Sequence, residues 1–171
     1  MSVDGRIAAP DGDSEWLTGI EARTDVHRMR AESQAILVGA GTVRADDPSL
    51  DVRLVEGPNP RRVVLGSAPP DAKVHPCLEW VGSIPDLLDQ LGNDGVVQLL
   101  VEGGAGVASE FHDAGLVDRY VLYVAPAIFG GDDAHPPFVG AGAHTIAELP
   151  RGRFVSVRPV GADLRIDLVI D

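Results

Sequence analysis

The chain has 171 residues, 44% of them hydrophobic, and a formal charge of −12 from 26 acidic and 14 basic side chains. That length suits about one domain, large enough to hide roughly two thirds of its unfolded surface, and that charge argues against non-specific binding to nucleic acid or to an anionic membrane. The lone Cys77 excludes an internal disulfide and a metal site built of thiolates; with no apolar run near the roughly 20 residues of a membrane span and no signal-peptide core behind Asp4 and Arg6, a soluble cytoplasmic protein is expected.

In chain order, Gly5–Ala8 reads as a first short strand. Thr18 with Glu21 three residues later forms a capping-box pattern, and Ala22, Val26 and Met29 follow at helical spacing, which predicts a helix over Gly19–Ser33. The apolar run Ala35–Gly39 predicts a buried parallel strand that opens into a glycine bend, Gly39–Thr42. A third strand, Arg62–Leu65, is bracketed by Pro58, Pro60, Pro69 and Pro70. Ser83 caps a second helix with Ile84, Leu87, Leu88 and Leu91 on one face and Gly92 at its end. It leads into a strand over Val96–Val101 and a second glycine bend, Gly103–Gly106.

Beyond that bend, a helix carrying Val107 and Phe111 runs to Ala114, with Gly115 as its stop. Arg119–Val124, apolar on both faces, reads as a central strand. Ala127–Leu149 is a long irregular stretch of the length that more often serves function than accident. Phe154–Val160 and Asp163–Ile170 alternate around Gly161-Ala162 and predict a hairpin. The sum is a single α/β domain: a mostly parallel central sheet flanked by helices, with a C-terminal antiparallel hairpin at its edge.

Strands that open into glycines place a ligand at the carboxyl edge of the sheet, where bare N–H groups at a helix start suit phosphate. Gly104–Ser109 has the first two glycines of a dinucleotide fingerprint but a serine in the third place, so a Rossmann reading is weak. No Walker lysine follows either bend. Five scattered histidines lack metal-ligand spacing and the zinc-deaminase signature is absent, so no metal is expected. No serine sits in a G-x-S-x-G context. Lys73, the only lysine, reads as a surface residue. Polar residues then remain at strand ends: Ser14 and Trp16, then Thr42, Asp46 and Arg53, then Glu102. Singly each has a plain reading, Trp16 as a core plug, Glu102 as a helix cap and Asp46-Asp47-Pro48 as a turn; their shared sheet edge is what favours a site.

Several of these motifs occur together and in order. Ser2-Val3-Asp4-Gly5-Arg6-Ile7-Ala8, Ser14-x-Trp16-Leu17-Thr18-Gly19, Asp25-Val26-His27-Arg28-x-Arg30-Ala31, Leu37-Val38-Gly39-Ala40-Gly41-Thr42-Val43-x-Ala45-Asp46-Asp47-Pro48-Ser49-Leu50-x-Val52-Arg53 and Val101-Glu102-Gly103-Gly104-Ala105 closely resemble the reductase domain of the riboflavin-pathway deaminase/reductase. Gly115-Leu116-Val117-Asp118 and Tyr123-Val124-Ala125-Pro126 continue the resemblance along nearly the whole chain.

The resemblance implies a dihydrofolate reductase-like fold, a homodimer and NADPH as cofactor. The implied reaction converts the ribosyl group of a 5-phosphoribosylaminopyrimidine to its ribitylamino form, as a 5-amino-6-(5-phosphoribosylamino)uracil reductase does. Ser14, Arg30, Leu50, Arg53 and Glu102 match the family's substrate positions. Trp16, Thr42, Asp46, Ser67 and the run Gly104, Ala105, Gly106, Val107, Ala108, Ser109 and Glu110 match its cofactor positions. Glu102 and Asp46 are the carboxylates expected nearest the chemistry. The family's opening strand begins several residues before the equivalent of Met1 and carries a lysine near the reacting group, so the resemblance implies that the N-terminal part of that strand is missing here. Two other readings stay open: a same-fold reductase of a pterin or another imine, and a non-catalytic nucleotide-binding module.

Overall fold

The computed structural model describes residues 1–15 and 17–170 and divides them into two compact units, residues 24–107 and residues 1–23 with 108–170. The elements in order are α1 (Ile20–Glu32), β1 (Ala35–Gly39), α2 (Ala40–Asp46), β2 (Arg61–Leu65), β3 (Leu78–Trp80), α3 (Ile84–Asn93), β4 (Leu99–Val101), α4 (Ala105–Asp113), β5 (Tyr120–Val124), β6 (Gly152–Val160) and β7 (Asp163–Ile170), with one 3-10 turn at Ile146–Glu148. Among the described residues no helix is long and apolar enough to cross a membrane.

The 24–107 unit holds a four-stranded, wholly parallel sheet in the order β3-β2-β1-β4. β1 lies between two partners, Leu37 standing opposite Val63 on one side and Val101 on the other, and all five of its residues are buried. A strand flanked and covered in this way must be apolar throughout, which is why Ala-Ile-Leu-Val-Gly does not alternate. Ile36, Val38 and Val64 pack on one face with Val43, Leu50 and Val74. α3 buries Ile84, Leu87 and Leu91, and its start is capped as expected, the Ser83 hydroxyl accepting the Asp86 N–H at 3.2 Å. Full burial of each such aliphatic side chain contributes on the order of 2 kcal/mol.

Three elements of this unit differ from the sequence reading. The first glycine bend is a helix, because α2 starts at Ala40 directly behind β1 and buries Ala40 and Val43. β4 begins at Leu99 rather than Val96: the Gln34 side-chain oxygen accepts the N–H groups of Val97 and Gln98 at 3.2 and 2.8 Å, taking the place of a strand partner. β3 was not anticipated, since three residues behind Pro76 are too few to show a period.

In the other unit, β5, β7 and β6 form a separate antiparallel sheet in that order. The expected hairpin is present and pairs Val160 with Asp163 around the turn. β5 is an edge strand of this sheet rather than a central one; apolarity on two faces reports what covers a strand, not what flanks it. The expected strand Gly5–Ala8 is reduced to an isolated bridge at Ala8; ahead of it Ser2–Arg6 is a turn, closed by Ser2 N–H to the Arg6 carbonyl at 2.8 Å and Arg6 N–H to the Ser2 hydroxyl at 2.9 Å. Asp4 accepts the Gly130 N–H at 2.8 Å; hydrogen bonds from Ser2 and Gly130 hold its carboxyl at about 2. That bond, Ala8 paired with His135, and Val139 N–H donating to Ser109 Oγ at 2.8 Å fasten the irregular 127–149 segment. At the start of α1, Asp163 accepts the Gly19 N–H at 2.8 Å.

Gly39 and Gly103 are required by one neighbour. A Cβ at Gly39 would lie 2.8 Å from Val107 Cγ2, and one at Gly103 only 2.6 Å from Val107 Cβ. Gly39→Ala is therefore expected to cost about 1–3 kcal/mol by overpacking, with Val107→Ala recovering much of the loss. Gly103→Ala should cost a similar amount and resist that rescue, since Val107→Ala keeps the offending Cβ. Urea unfolding of the two singles and two doubles checks both statements.

Candidate functional site

The polar residues of the 24–107 unit gather where its strands end. Arg30, in the last turn of α1, and Glu102, directly after β4, form a bidentate pair: Nε to Oε1 at 2.8 Å and Nη2 to Oε2 at 2.6 Å. Arg30 Nη1 also donates to the Asp51 carbonyl at 3.0 Å. Only 12% of the Arg30 side chain and 22% of the Glu102 side chain are exposed. Burial opposes the guanidinium's charge, but the hydrogen bonds and charge of Glu102 outweigh it and raise the Arg30 pKa above its ordinary value.

Beside this pair lies an open cleft of about 420 Å³, whose walls include Arg30, Asp46, Ser49, Leu50, Arg53 and Lys73. Arg53 donates from Nη1 to Asp51 Oδ1 at 2.5 Å and to Ser49 Oγ at 3.2 Å, and Lys73 Nζ stands 3.0 Å from Asp47 Oδ2. Each cation of the cleft thus has a carboxylate partner, yet Arg53 and Lys73 stay 59% and 67% exposed. Asp47 and Leu50 have φ of +41° and +52°, a left-handed backbone that costs energy outside glycine and collects at ligand sites.

The cofactor-type positions of this unit follow the same strand ends. A Cβ on Gly104 would come within 3.3 Å of Thr42 Oγ1, so the start of α4 abuts the first turn of α2. Ser67 is exposed just past β2, behind Gly66, whose Cβ would meet that of Ala40 at 3.0 Å. A Cβ added at Gly41 or Gly106 would meet nothing within 4 Å outside its own helix backbone. The first N–H groups of α4, at the glycines that precede and open it, are the backbone that could hold an anionic group such as a pyrophosphate.

These strand ends and this chain of motifs coincide with one family: a model of the RibD C-terminal domain matches residues 1–166. This chain belongs to the RibD C-terminal domain family. It is 40% identical over 186 residues to the riboflavin biosynthesis protein RibD of Mycobacterium tuberculosis, covering 98% of this chain and 52% of that protein. It is similar to the structure of Acinetobacter baumannii RibD, with TM-score 0.90 and 30% identity over 99% of this chain and 55% of that one. A diaminohydroxyphosphoribosylaminopyrimidine deaminase/5-amino-6-(5-phosphoribosylamino)uracil reductase from Thermotoga maritima gives TM-score 0.84 at 30% identity, over 99% of this chain and 54% of that one. The chain spans about half the length of the relatives it matches.

Of the expected substrate positions, the structure joins Arg30 to Glu102 and sets Arg53 and Leu50 in the adjoining cleft. The Leu50 side chain is 2% exposed and belongs to the core, so the face it offers is backbone. Asp46 is exposed on the cleft rim at the end of α2. Val107 packs against Gly39 and Gly103 rather than standing free. Ser14, Ala108, Ser109 and Glu110 belong to the other unit: Ser14 and Glu110 are exposed, and the Ser109 hydroxyl is occupied by Val139. Trp16 lies outside the described residues. Sequence reasoning set Lys73 aside as surface and did not single out His27 or Asp47. Asp47 lies in the Asp46-Asp47-Pro48 turn that the sequence does show, and aspartate is among the residues that tolerate a left-handed backbone; Lys73 reaches the cleft because its backbone N–H binds Asp47 Oδ1, at 2.8 Å.

His27 anchors the cleft loop. It is 4% exposed, and its Nδ1 accepts the Arg53 backbone N–H at 3.1 Å, so the ring is neutral with its proton on Nε2. Burial first, then the charges of Arg30 and Arg53, push its pKa below the ordinary 6.5, against the smaller opposing pull of Asp51 and Glu102. The unfolded chain takes up a proton here before the folded one does. Stability linked to His27 is therefore complete above about pH 6.5 and declines as the pH falls from there toward the lowered folded value. His27→Asn, whose Oδ1 can replace Nδ1 but does not titrate, should flatten the fall in melting temperature between about pH 7 and 5 relative to the parent chain.

Proposed function

We propose that this chain reduces the ribosyl group of a 5-phosphoribosylaminopyrimidine to the ribitylamino form in riboflavin biosynthesis, with NADPH as the cofactor and the cytoplasm as its location. The observation that carries this reading is the half-buried Arg30–Glu102 pair beside a cleft that presents two further cations, Arg53 and Lys73, in a member of the RibD C-terminal domain family. In an acidic chain, exposed cations held by carboxylates that a phosphate can replace suit a phosphorylated substrate. They also speak against a pterin, which brings no sugar phosphate.

The nicotinamide, when bound, supplies the hydride to the imine carbon exposed by opening of the aminoribose ring. The protein holds and orients. Arg53 and Lys73 bind the substrate phosphate by exchanging their carboxylate partners for it. Glu102, fixed by Arg30, accepts a hydrogen bond from the substrate and polarises it; Asp46 orients the ribose or passes a proton. The first turn of α4 with Thr42 and Ser67 receives the cofactor, and Ser14 and Trp16 are included as substrate and cofactor contacts on the strength of the family motif. The active species is a homodimer, for which Phe154 and Val157 of β6, 68% and 56% exposed, offer apolar surface.

The deciding experiment follows nicotinamide absorbance while the purified chain is incubated with NADPH and each of the two phosphoribosylaminopyrimidines, before and after deamination. Oxidation with one of them is expected; thermal protection by NADPH with turnover of neither would identify a binding module instead. Arg53→Met and Lys73→Met should each raise KM by about tenfold with kcat nearly kept, the loss of one charge-assisted contact. Glu102→Gln should lower kcat rather than KM, and full turnover in that variant would remove Glu102 from the mechanism. Light scattering should show a dimer that Val157→Glu converts to monomer.

A further inference from the structure

One cluster outside this cleft has the chemistry of a metal site. His75, Cys77 and Glu79 lie close together in sequence on the run that leads into β3. One ligand atom from each lies within 4.8 Å of the other two. The Cys77 Sγ to His75 Nδ1 separation is 3.5 Å. A tetrahedral site with metal–sulfur and metal–nitrogen lengths of about 2.3 and 2.05 Å has a sulfur–nitrogen edge of about 3.6 Å, so these two ligands already stand at the required spacing.

The second ring nitrogen of His75 supports the same conclusion. Nε2 is 2.9 Å from the Pro69 carbonyl, which can only accept, so Nε2 carries the proton and the Nδ1 lone pair faces Cys77. A backbone carbonyl on the far nitrogen is the arrangement that fixes the tautomer and direction of a metal-ligating histidine. Glu79 is held in turn, its Oε1 accepting the Ala68 N–H at 3.3 Å. Cys77 also borders an open groove with Pro60, Arg62 and Leu78, through which ion and water can enter.

We propose that His75, Cys77 and Glu79 form a binding site for a borderline divalent cation of the zinc type, with water in the fourth position. Binding replaces the thiol proton with the metal: Cys77 S–H gives a metal–thiolate bond and releases one proton to solvent, with no change of oxidation state. Thiolate and carboxylate together balance the two positive charges. Two of its ligands also bond to the start of the 68–79 loop, His75 Nε2 at the Pro69 carbonyl and Glu79 Oε1 at the Ala68 N–H, so a bound ion would stiffen the loop whose middle carries Lys73 to Asp47. The site does not depend on the reductase reading.

The test titrates the whole chain, kept reduced with a phosphine, with Co²⁺ alone and then with Zn²⁺. Expected are a near-ultraviolet thiolate-to-cobalt charge-transfer band that saturates at one equivalent, its loss on adding Zn²⁺, and slower alkylation of Cys77 by iodoacetamide when Zn²⁺ is present. His75→Gln, which retains the thiol and serves should Cys77→Ser fail to fold, should lose the alkylation protection. Absence of the band in the parent chain would overturn the proposal, as would undiminished protection in His75→Gln. Co²⁺ held only by surface carboxylates gives no charge-transfer band and counts against it.

Discussion

The half-buried pair between Arg30 and Glu102 is the contact on which the cleft depends. Three segments far apart in sequence meet at one guanidinium: the last turn of α1, the carbonyl of Asp51 in the loop after α2, and the first residue past β4. The planar fork of arginine sets directions as well as charge, since Nε and Nη2 take both Glu102 oxygens and leave Nη1 for Asp51; a lysine could not hold all three. Arg30 also completes the C-terminal end of its helix, where a cation opposes the exposed carbonyl dipole. Removing either partner would strand a poorly solvated charge, a change that costs far more than the intact pair contributes.

The three cations of the cleft consequently divide into two kinds. Arg30 is committed: little exposed and using three of its N–H groups within the protein, it acts as framework. Arg53 and Lys73 are paired but well exposed, and ion pairs of that kind contribute only about 0–1 kcal/mol. A dianionic phosphate can displace Asp51 or Asp47 from them at small cost, while the resident carboxylates keep the empty side chains ordered. In the proposed reaction, specificity for phosphate belongs to the exchangeable pair and geometry at the reacting carbon to the fixed one.

Much of this was legible in the sequence where local signals agree. The unbroken apolar run of β1, the Ser83 cap with its i, i+3, i+4, i+7 face, and the alternating strands around Gly161 each carry their structure in their own residues. The errors fall where long-range partners decide. Gln34 ends β4 early by supplying its side chain to Val97 and Gln98. Gly39–Thr42 looked like a bend because two glycines interrupt an apolar run, yet burial of Ala40 and Val43 winds it into helix at once. At the site, the motifs named Arg30, Arg53 and Glu102 and the residues Asp46-Asp47-Pro48 read as a turn, but the pairing of Arg30 with Glu102 joins segments 72 residues apart, and the place of Lys73 at the cleft is set by its long-range bonds to Asp47.

The two glycine bends also change meaning once Val107 is considered. Read as sequence, both were backbone exposed for a phosphate. In the structure the first glycine of each, Gly39 and Gly103, is consumed by one valine of α4, while a Cβ at Gly41 or Gly106 would meet nothing within 4 Å outside its own helix backbone. Each bend therefore has a steric half and a free half. The steric half fixes the height at which α4 begins relative to the ends of β1 and β4, to within the tolerance of a side chain in van der Waals contact. The free half is then presented at a defined place rather than on a loose loop. In the proposed reaction the cofactor's phosphates meet backbone N–H groups at the start of α4, and the packing of Val107 would preorganise them with no charged side chain at all.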